Sequence, residues 1–488
     1  MHVTRVLAAL SLAWAVAAPV FGQSAFPMGS HRMALQCPGG DLPFQLSLEG
    51  DGKGSLLVFL GNGSERIQVP EVVDDRQLVL RFPHYDSELR LDVDRGAATM
   101  NGEWIKRRGA QPETRMKVVH RGFGARFDLP ATDGDVTWPN GRYAVAFAGS
   151  KDPAVGVFRV VAGANQNWNC EGTFLTTLGD YRFLAGNSDG RTMKLSCFDG
   201  AHAFLFAAER QPDGTMRGGF WSSDSWYETW TATPDEKATL PDGWKLTRMR
   251  DGASLGDATF RDFAGQPVSL DGPKFTGKVR VIEVFGSWCP NCHDHGAYMA
   301  ELHRRYADRG LQVVGVAFEH AGDFARSVRQ VETFVARHGA TFPILIGGLS
   351  DKKKATTSLS LLDRVRSFPT TIFVDRDGKV RGIYQGWSGP ATGEAHQRLR
   401  QRFESLVEDL LAGRQRGVSI KQLLFGPRTV TLLGVLLLAG IAVRLFAWTR
   451  DDAELARIGA LLTLPFLVML ALLLLVVLPY TWLTSRRR

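Results

Sequence analysis

The rhythm of hydrophobic and polar positions divides this chain into four stretches. His2 and Arg5 make a short basic start, and residues 6–20 form an apolar run. Val20-Phe21-Gly22 then puts small or modest side chains before a cut after Gly22. The run is too short to cross a bilayer, so 1–22 is expected to be a secretory signal peptide. From about 37 to 240 the pattern is short alternating segments, such as 55–60, 77–82 and 88–93, cut by Gly, Asp and Asn turns. Alternation with turns at this spacing predicts an antiparallel, all-β region, a sandwich or a barrel. A faint internal repeat runs through it. Residues 78–104 and 193–221 each read strand, turn, strand, ending Met100-Asn101-Gly102-Glu103-Trp104 and Met216-Arg217-Gly218-Gly219-Phe220-Trp221. Two such units packed together would close a larger sheet than either alone. Trp138, Trp168, Trp221, Trp226 and Trp230 fall here and are expected mainly in the core. His84 and His202 have no metal-ligand spacing.

Beyond Leu240-Pro241-Asp242-Gly243 strands alternate with helices. Residues 279–285 are apolar except for Arg280 and Glu283, and lead into Trp288-Cys289-Pro290-Asn291-Cys292. A helix follows, with Tyr298, Leu302 and Tyr306 on one face and Gly310 as its stop. Strands at 311–318 and 342–346 flank a helix at 324–338. Ser367-Phe368-Pro369-Thr370-Thr371 opens a hairpin, and a last helix covers 394–412. The order over 250–412 is β-α-β-α, hairpin, helix: a mixed sheet with helices on its faces. Finally, 429–449 is apolar except for Arg444, and 458–483 carries no charge. Each stretch spans about 30 Å of hydrocarbon as a helix, so 429–483 is expected to be a two-helix transmembrane hairpin. Arg444 lies near enough to its helix end to snorkel. Orientation carries a conflict. Arg414, Arg416, Lys421, Arg428 and Arg486 to Arg488 lie on the side that the signal peptide places outside, against the positive-inside rule. Long domains cross largely regardless of charge, so the middle of the chain is taken as exported.

Composition narrows the classes. The 488 residues amount to about three domains. A 44% hydrophobic and 22% charged composition excludes a disordered chain. Mean hydropathy of −0.10 excludes a protein made mostly of membrane spans. The net charge of +8 invites nucleic acid, but no basic face interleaved with aromatics accompanies it. Lys352-Lys353-Lys354 reads as a solvated loop, and no nucleic-acid partner is expected.

The chemistry lies in the paired cysteines. A C-x-x-C at a strand end that opens a helix reads as a redox pair. At the helix N-terminus, unsatisfied amides and the helix dipole stabilise a thiolate. Cys289 is therefore the nucleophile, and Cys292 the thiol that resolves the mixed disulfide. Structural zinc needs four ligands, and no second C-x-x-C exists. Copper delivery by the pair plus His320 or His338 is the alternative use of the same thiols. Cys37, Cys170 and Cys197 remain, an odd set that an exported chain can oxidise. A Cys170–Cys197 bridge is the most natural, since both fall in the second β-unit, and pairings through Cys37 stay open.

These residues carry a resemblance. The stretch 256–412 resembles the TlpA/ResA-like thiol-disulfide oxidoreductases, of thioredoxin fold, on Trp-Cys-Pro-Asn-Cys at 288–292 and Phe-Pro-Thr-Thr at 368–371. The segment 386–394 resembles the tail of a redoxin subgroup with a long β-rich N-terminal region. The resemblance implies a cis Pro369 facing the cysteines, with Trp288, Pro290, Asn291 and Phe368 along a substrate groove. It also implies a buried acid at Glu283, half-buried and raised in pKa, able to shuttle the proton of Cys292. Departures are His295, where the ResA type carries an acid, and Gly296-Ala297 in place of Met-Pro. His293 or His295, if charged, would favour the thiolate and raise the reduction potential; as solvated helix-start residues they would do neither. The direction of electron flow stays open on that point.

Together these features predict an exported thiol-disulfide oxidoreductase anchored in bacterial plasma-membrane lipid by its C-terminal hairpin, with its soluble domains periplasmic. The resemblance favours a reductase of protein disulfides. The dithiol is the redox group and no dissociable cofactor is implied. With no nicotinamide or flavin motif, electrons would come from a transmembrane thiol-reductant donor. The competing classes are a non-enzymatic partner- or ligand-binding protein that uses the β-domain, and a thioredoxin-fold copper chaperone.

Overall fold

Apolar positions two apart along the first strands share one face. In Leu78–Phe82 the residues Leu78, Leu80 and Phe82 are fully buried while Arg81 is exposed. The computed structural model describes residues 28–414, except 54, 75–76, 110, 131–139 and 161–168, with scattered positions between 441 and 464. The expected signal peptide, Trp138, Trp168 and, apart from those scattered positions, the transmembrane hairpin lie outside the described residues. Among the described residues no helix is long and apolar enough to cross a membrane.

The β-rich region is two bodies rather than one enlarged sheet. Nine strands form the first sheet, in the spatial order Glu65–Gln68, Leu56–Asn62, Gly40–Gly50, Gly29–Cys37, Thr114–His120, Thr99–Lys106, Ser87–Asp94, Leu78–Phe82, Glu71–Asp74. Eight strands from Gly141–Phe147 to Trp226–Pro234 form a closed barrel. It shuts where its first and last strands pair, Ala144 opposite Thr233 and Phe147 opposite Trp230. Each stretch of the faint repeat folds as a three-strand antiparallel meander, but closure occurs within the second unit and not across both. The barrel interior is filled by rings. Phe206 stacks on Phe220 at 4.4 Å, and Phe174 lies 4.7 Å from Phe206 and 5.1 Å from Trp230. Side chains fill a barrel of this strand number, leaving a packed core. The two bodies share a second core in which Phe198 meets Phe44 at 4.6 Å and Trp104 at 5.4 Å.

Two expectations about this region need correction. Trp230 is core, but Trp221 is half-buried and Trp226 is 54% exposed, where it follows the turn at Ser223 and its indole donates to Glu228. Cys170 and Cys197 are free thiols. Cys170 pairs with Gly186, and Gly186 with Leu195, so Cys197 sits two strands away and two residues further along. Two strand spacings alone are about 9–10 Å, beyond the roughly 7 Å a disulfide spans between Cα atoms.

The third body starts after the second core. Its seven strands run Pro267–Ser269, Thr259–Arg261, Ile344–Leu349, Leu311–Glu319, Val279–Phe285, Thr370–Val374, Val380–Gln385. Val279–Phe285 is parallel to Leu311–Glu319 and antiparallel to Thr370–Val374, so it lies near the centre and is buried throughout. Helices α1 (Pro290–Tyr306), α2 (Phe324–His338), α3 (Lys352–Ser358) and α4 (Glu394–Leu411) complete it. Asp323 caps α2 by accepting from the Arg326 amide, and Gly339 ends it in the left-handed region. Lys352, Lys353 and Lys354 are solvated as expected, yet they open α3 rather than a loop, because Asp351 caps that turn.

Candidate dithiol active site

The central strand delivers its last residues to a tightly held loop. Ser287 donates from its amide and its hydroxyl to the two oxygens of Glu319, at 2.9 and 2.7 Å. Burial pushes the Glu319 carboxyl up to about 7, against those two hydrogen bonds. The Trp288 indole donates to the Phe318 carbonyl at 2.9 Å, and its ring stacks on His320 at 4.3 Å. Cys289 is thereby placed as the N-cap of α1, with Pro290 at the first helical position, where no amide is needed. The Cys292 and His293 amides both donate to the Cys289 carbonyl, at 3.0 and 3.1 Å. The Cys289 thiol lies 3.5 Å from the Phe368 carbonyl, and the Phe368–Pro369 peptide is cis. Trp288, Cys289, Phe368 and Pro369 are thus brought together. Cys289 is 8% exposed and Cys292 is fully buried. Burial pushes the Cys292 thiol well above its usual range, with the Cys289 sulfur and Glu283 adding to the rise.

Glu283 is wholly buried rather than half-buried, and it has a partner. Its Oε1 lies 2.7 Å from His295 Nδ1, while His295 Nε2 lies 3.1 Å from the Thr371 hydroxyl. The residues meet for simple reasons. Thr371 is the strand neighbour of Glu283, and His295 follows Cys292 by three positions on the inward face of α1. Glu283 Oε2 has no hydrogen-bond partner. A carboxylate oxygen left open in the core beside a buried thiol is a place for its proton.

Neither histidine is a solvated helix-start residue. His293 is buried, and burial, with His84, His338 and Arg337 adding to it, keeps its imidazole well below the usual range and neutral. Its Nε2 donates to the Ser287 carbonyl at 2.7 Å, so Nδ1 receives from His338 Nε2 at 2.8 Å. His293 therefore supplies no positive charge to the thiolate. A buried amine does come from the β-region. Lys106 ends Thr99–Lys106 and donates to the Ala201 carbonyl. Burial pushes its ammonium down to about 7, with Arg108 adding to the fall and Asp199 and the Cys289 sulfur opposing it. Nothing in the alternation around Lys106 signalled this position.

The β-region also packs on the helix start. Asn291, between the cysteines, donates to the Asp180 carbonyl at 3.2 Å. Arg182 pairs with Asp294 of α1, with Glu65 of the first sheet at 3.0 Å and with Asp199 of the barrel at 3.5 Å. Beside the cis peptide, Arg366 pairs with Asp152 and Gln385 donates to the Thr177 carbonyl at 2.9 Å. Opposite these, His84 and Tyr85 rings lie 4.8 and 5.0 Å from His293. The candidate copper ligands are otherwise engaged. His320 is held by Trp288 and by Ser350 at 2.8 Å, and His338 by His293. Among the described residues no three His, Cys, Asp or Glu side chains converge as a metal site.

Residues 250–396 match the Redoxin family. The thioredoxin-like protein YneN of Bacillus subtilis (strain 168) is 30% identical over 152 residues, which cover 30% of this chain and 81% of that relative. The thiol-disulfide oxidoreductase ResA of Geobacillus thermodenitrificans (strain NG80-2) is 29% identical over 140 residues, 29% of this chain and 72% of its own. A solved structure of a putative thiol:disulfide interchange protein DsbE from Chlorobium tepidum shares 21% identity, covers 33% of this chain and 99% of its own, and superposes with a TM-score of 0.26.

Proposed function

The chain belongs to the redoxin family of TlpA/ResA-like thiol-disulfide oxidoreductases, and from that premise we propose that it reduces protein disulfides from an exported, membrane-anchored position. The observation that carries the reading is Cys289 at the start of α1, against the cis Phe368–Pro369 peptide, with Glu283 and His295 buried behind Cys292.

The steps follow from that placement. The Cys289 thiolate, at the N-terminal end of α1, attacks one sulfur of a substrate disulfide. A mixed disulfide forms and one substrate thiolate leaves. Cys292 loses its proton toward the open oxygen of Glu283, and His295 holds that carboxylate in place. The Cys292 thiolate then attacks Cys289 Sγ, releasing the second substrate thiolate. Two electrons pass to the substrate, and the pair ends as a disulfide. A transmembrane thiol-reductant donor would restore the dithiol, and the hairpin at 429–483 would hold the chain in the bacterial plasma membrane beside it, with its soluble bodies in the periplasm. A pair that stays reduced in cells lacking every membrane thiol-reductant pathway would remove the donor from this scheme.

Exchange of Cys292→Ser tests the central step. The variant should accumulate a mixed disulfide with substrate through Cys289, and Cys289→Ser should accumulate none. Full activity in Cys289→Ser cells would instead favour the binding-protein class. A reduction potential near about −270 mV supports a reductase, and one near about −120 mV an oxidant.

A further inference from the structure

We propose that the β-region is the outer wall of the redox site, and that it limits the dithiol to disulfides carried on small molecules or extended chain segments, excluding those set in a folded surface. This rests on the thiol-exchange reading above and narrows its substrate class.

The wall stands on two sides of the cysteines. Residues 177–182 of the barrel lie against Asn291, Asp294 and the segment after the cis peptide. On the other side, Gln330 of α2 donates to the Pro83 carbonyl at 2.7 Å and Arg326 pairs with Asp86 at 2.8 Å. Cys289 keeps only 8% of its surface between these two contacts. Gly179 shows how close the approach is. Its φ of 152° suits glycine, and an added Cβ would collide with the Asn291 amide. Opening the seam is opposed by the pair that Arg182, held beside Glu65 and Asp199 of the β-region, makes with Asp294 of α1. The docked arrangement is therefore the resting one.

Disulfide exchange needs the attacking sulfur in van der Waals contact with the S–S bond and in line with it. A folded substrate brings backbone on both sides of its cystine, into the volume that residues 177–182 and 83–86 already fill. A small or extended disulfide brings few atoms. Open space beside Trp288, bounded by Tyr85, Arg107 and His320, holds about 30 Å³. That space admits a few atoms beside the tryptophan, not a protein surface.

The test uses the full-length, pre-reduced protein in detergent, mixed with glutathione disulfide, with a linear peptide closed by one disulfide, and with native insulin. Each rate is divided by that of dithiothreitol on the same disulfide, which removes intrinsic reactivity. The first two relative rates should agree, and insulin should fall below them by about tenfold or more. A relative insulin rate within about threefold of the glutathione rate overturns the proposal. Asp152→Ala sharpens it, because Asp152 holds both Thr177 and Arg366 from the β-side and touches neither cysteine. The variant should speed insulin reduction several-fold and leave the glutathione rate unchanged; equal effects on both would overturn the wall. Failure to reduce any of the three would bring down the thiol-exchange reading and the proposal together. Slow insulin beside fast glutathione disulfide upholds both.

Discussion

Two pairs of cysteines lie in this molecule, and their settings differ more than their burial does. Cys170 and Cys197 sit in the core of the closed barrel, Cys170 against the Met193 sulfur at 3.8 Å. Burial pushes both thiols far above their usual range. They are two strands apart, and among the described residues no helix start or cis peptide accompanies them. Cys289 and Cys292 are almost as buried, yet one turn of helix joins them and four elements meet there. The central strand supplies Glu283, α1 its N-terminal amides, and the next strand Thr371, while the cis peptide faces the nucleophile. Reactivity in a thiol comes from that setting, and burial alone makes a cysteine one more small apolar side chain.

The largest expected contrast follows directly. Cys289→Ser should lower disulfide reduction by about a thousandfold or more, because no second nucleophile stands at the helix start. Cys170→Ser and Cys197→Ser should leave turnover intact and lower the melting temperature, since each buries a hydroxyl in an apolar core. Iodoacetamide on the native protein should label Cys289 and reach the barrel thiols only after unfolding, read by peptide mass. Comparable labelling of Cys170 or Cys197 in the folded state would erase the distinction.

The relay behind Cys292 gives the next contrast. Glu283→Gln keeps shape and hydrogen bonding but removes the proton acceptor. Resolution of the mixed disulfide should slow by about a hundredfold at pH 7, with the loss shrinking as pH rises and solvent hydroxide takes over. His295→Gln keeps a hydrogen-bond partner for Glu283, so it should cost less and alter the pH profile. Stopped-flow decay of the mixed disulfide separates the two, and an unchanged pH profile in Glu283→Gln would assign the acid a packing role only.

How far these features were readable in the chain depends on the range of the interactions that set them. The helix at 324–338 was legible to the residue, because Asp323 and Gly339 punctuate it locally. The C-x-x-C at the end of an apolar strand was equally legible. Glu283 was reached through the family resemblance, but its contact with His295 was not. The face through Tyr298, Leu302 and Tyr306 runs back to His295 and turns inward, but that Glu283 meets His295 there depends on the sheet beneath the helix. A barrel was one of the two forms the alternation allowed, but that it closes over 141–234 alone was not legible, since residues 143–147 pair with 230–234 across some eighty intervening positions. The seam through Arg182 left no local trace at all. Arg182 adopts φ 63° and draws its partners from three separate bodies.

That seam carries the smallest predicted effect, and its sign can be worked out. Burial pushes Glu65 up to about 7 and Asp294 up to about 6, despite Arg182 beside both. One guanidinium cannot fully neutralise three carboxylates, and Asp199, whose carboxyl is held below its usual range, keeps its charge throughout. A carboxyl raised in the docked state stabilises docking when protonated. Its contribution is complete at acid pH, below the ordinary carboxylate range of about 4, and is lost as pH rises through about 6 to 7. The β-region should therefore hold the start of α1 more firmly at pH 5 than at pH 8. Hydrogen exchange of amides 177–182 and 291–297, corrected for intrinsic rates, should show opening about tenfold more frequent at the higher pH. Glu65→Gln should flatten that dependence, because its amide stays neutral at both values, while amides in the barrel core around Cys170 should show no such change. A pH response shared by the barrel core would mean that the whole fold loosens, and the contrast between a gated thiol pair and an inert one would lose its seam.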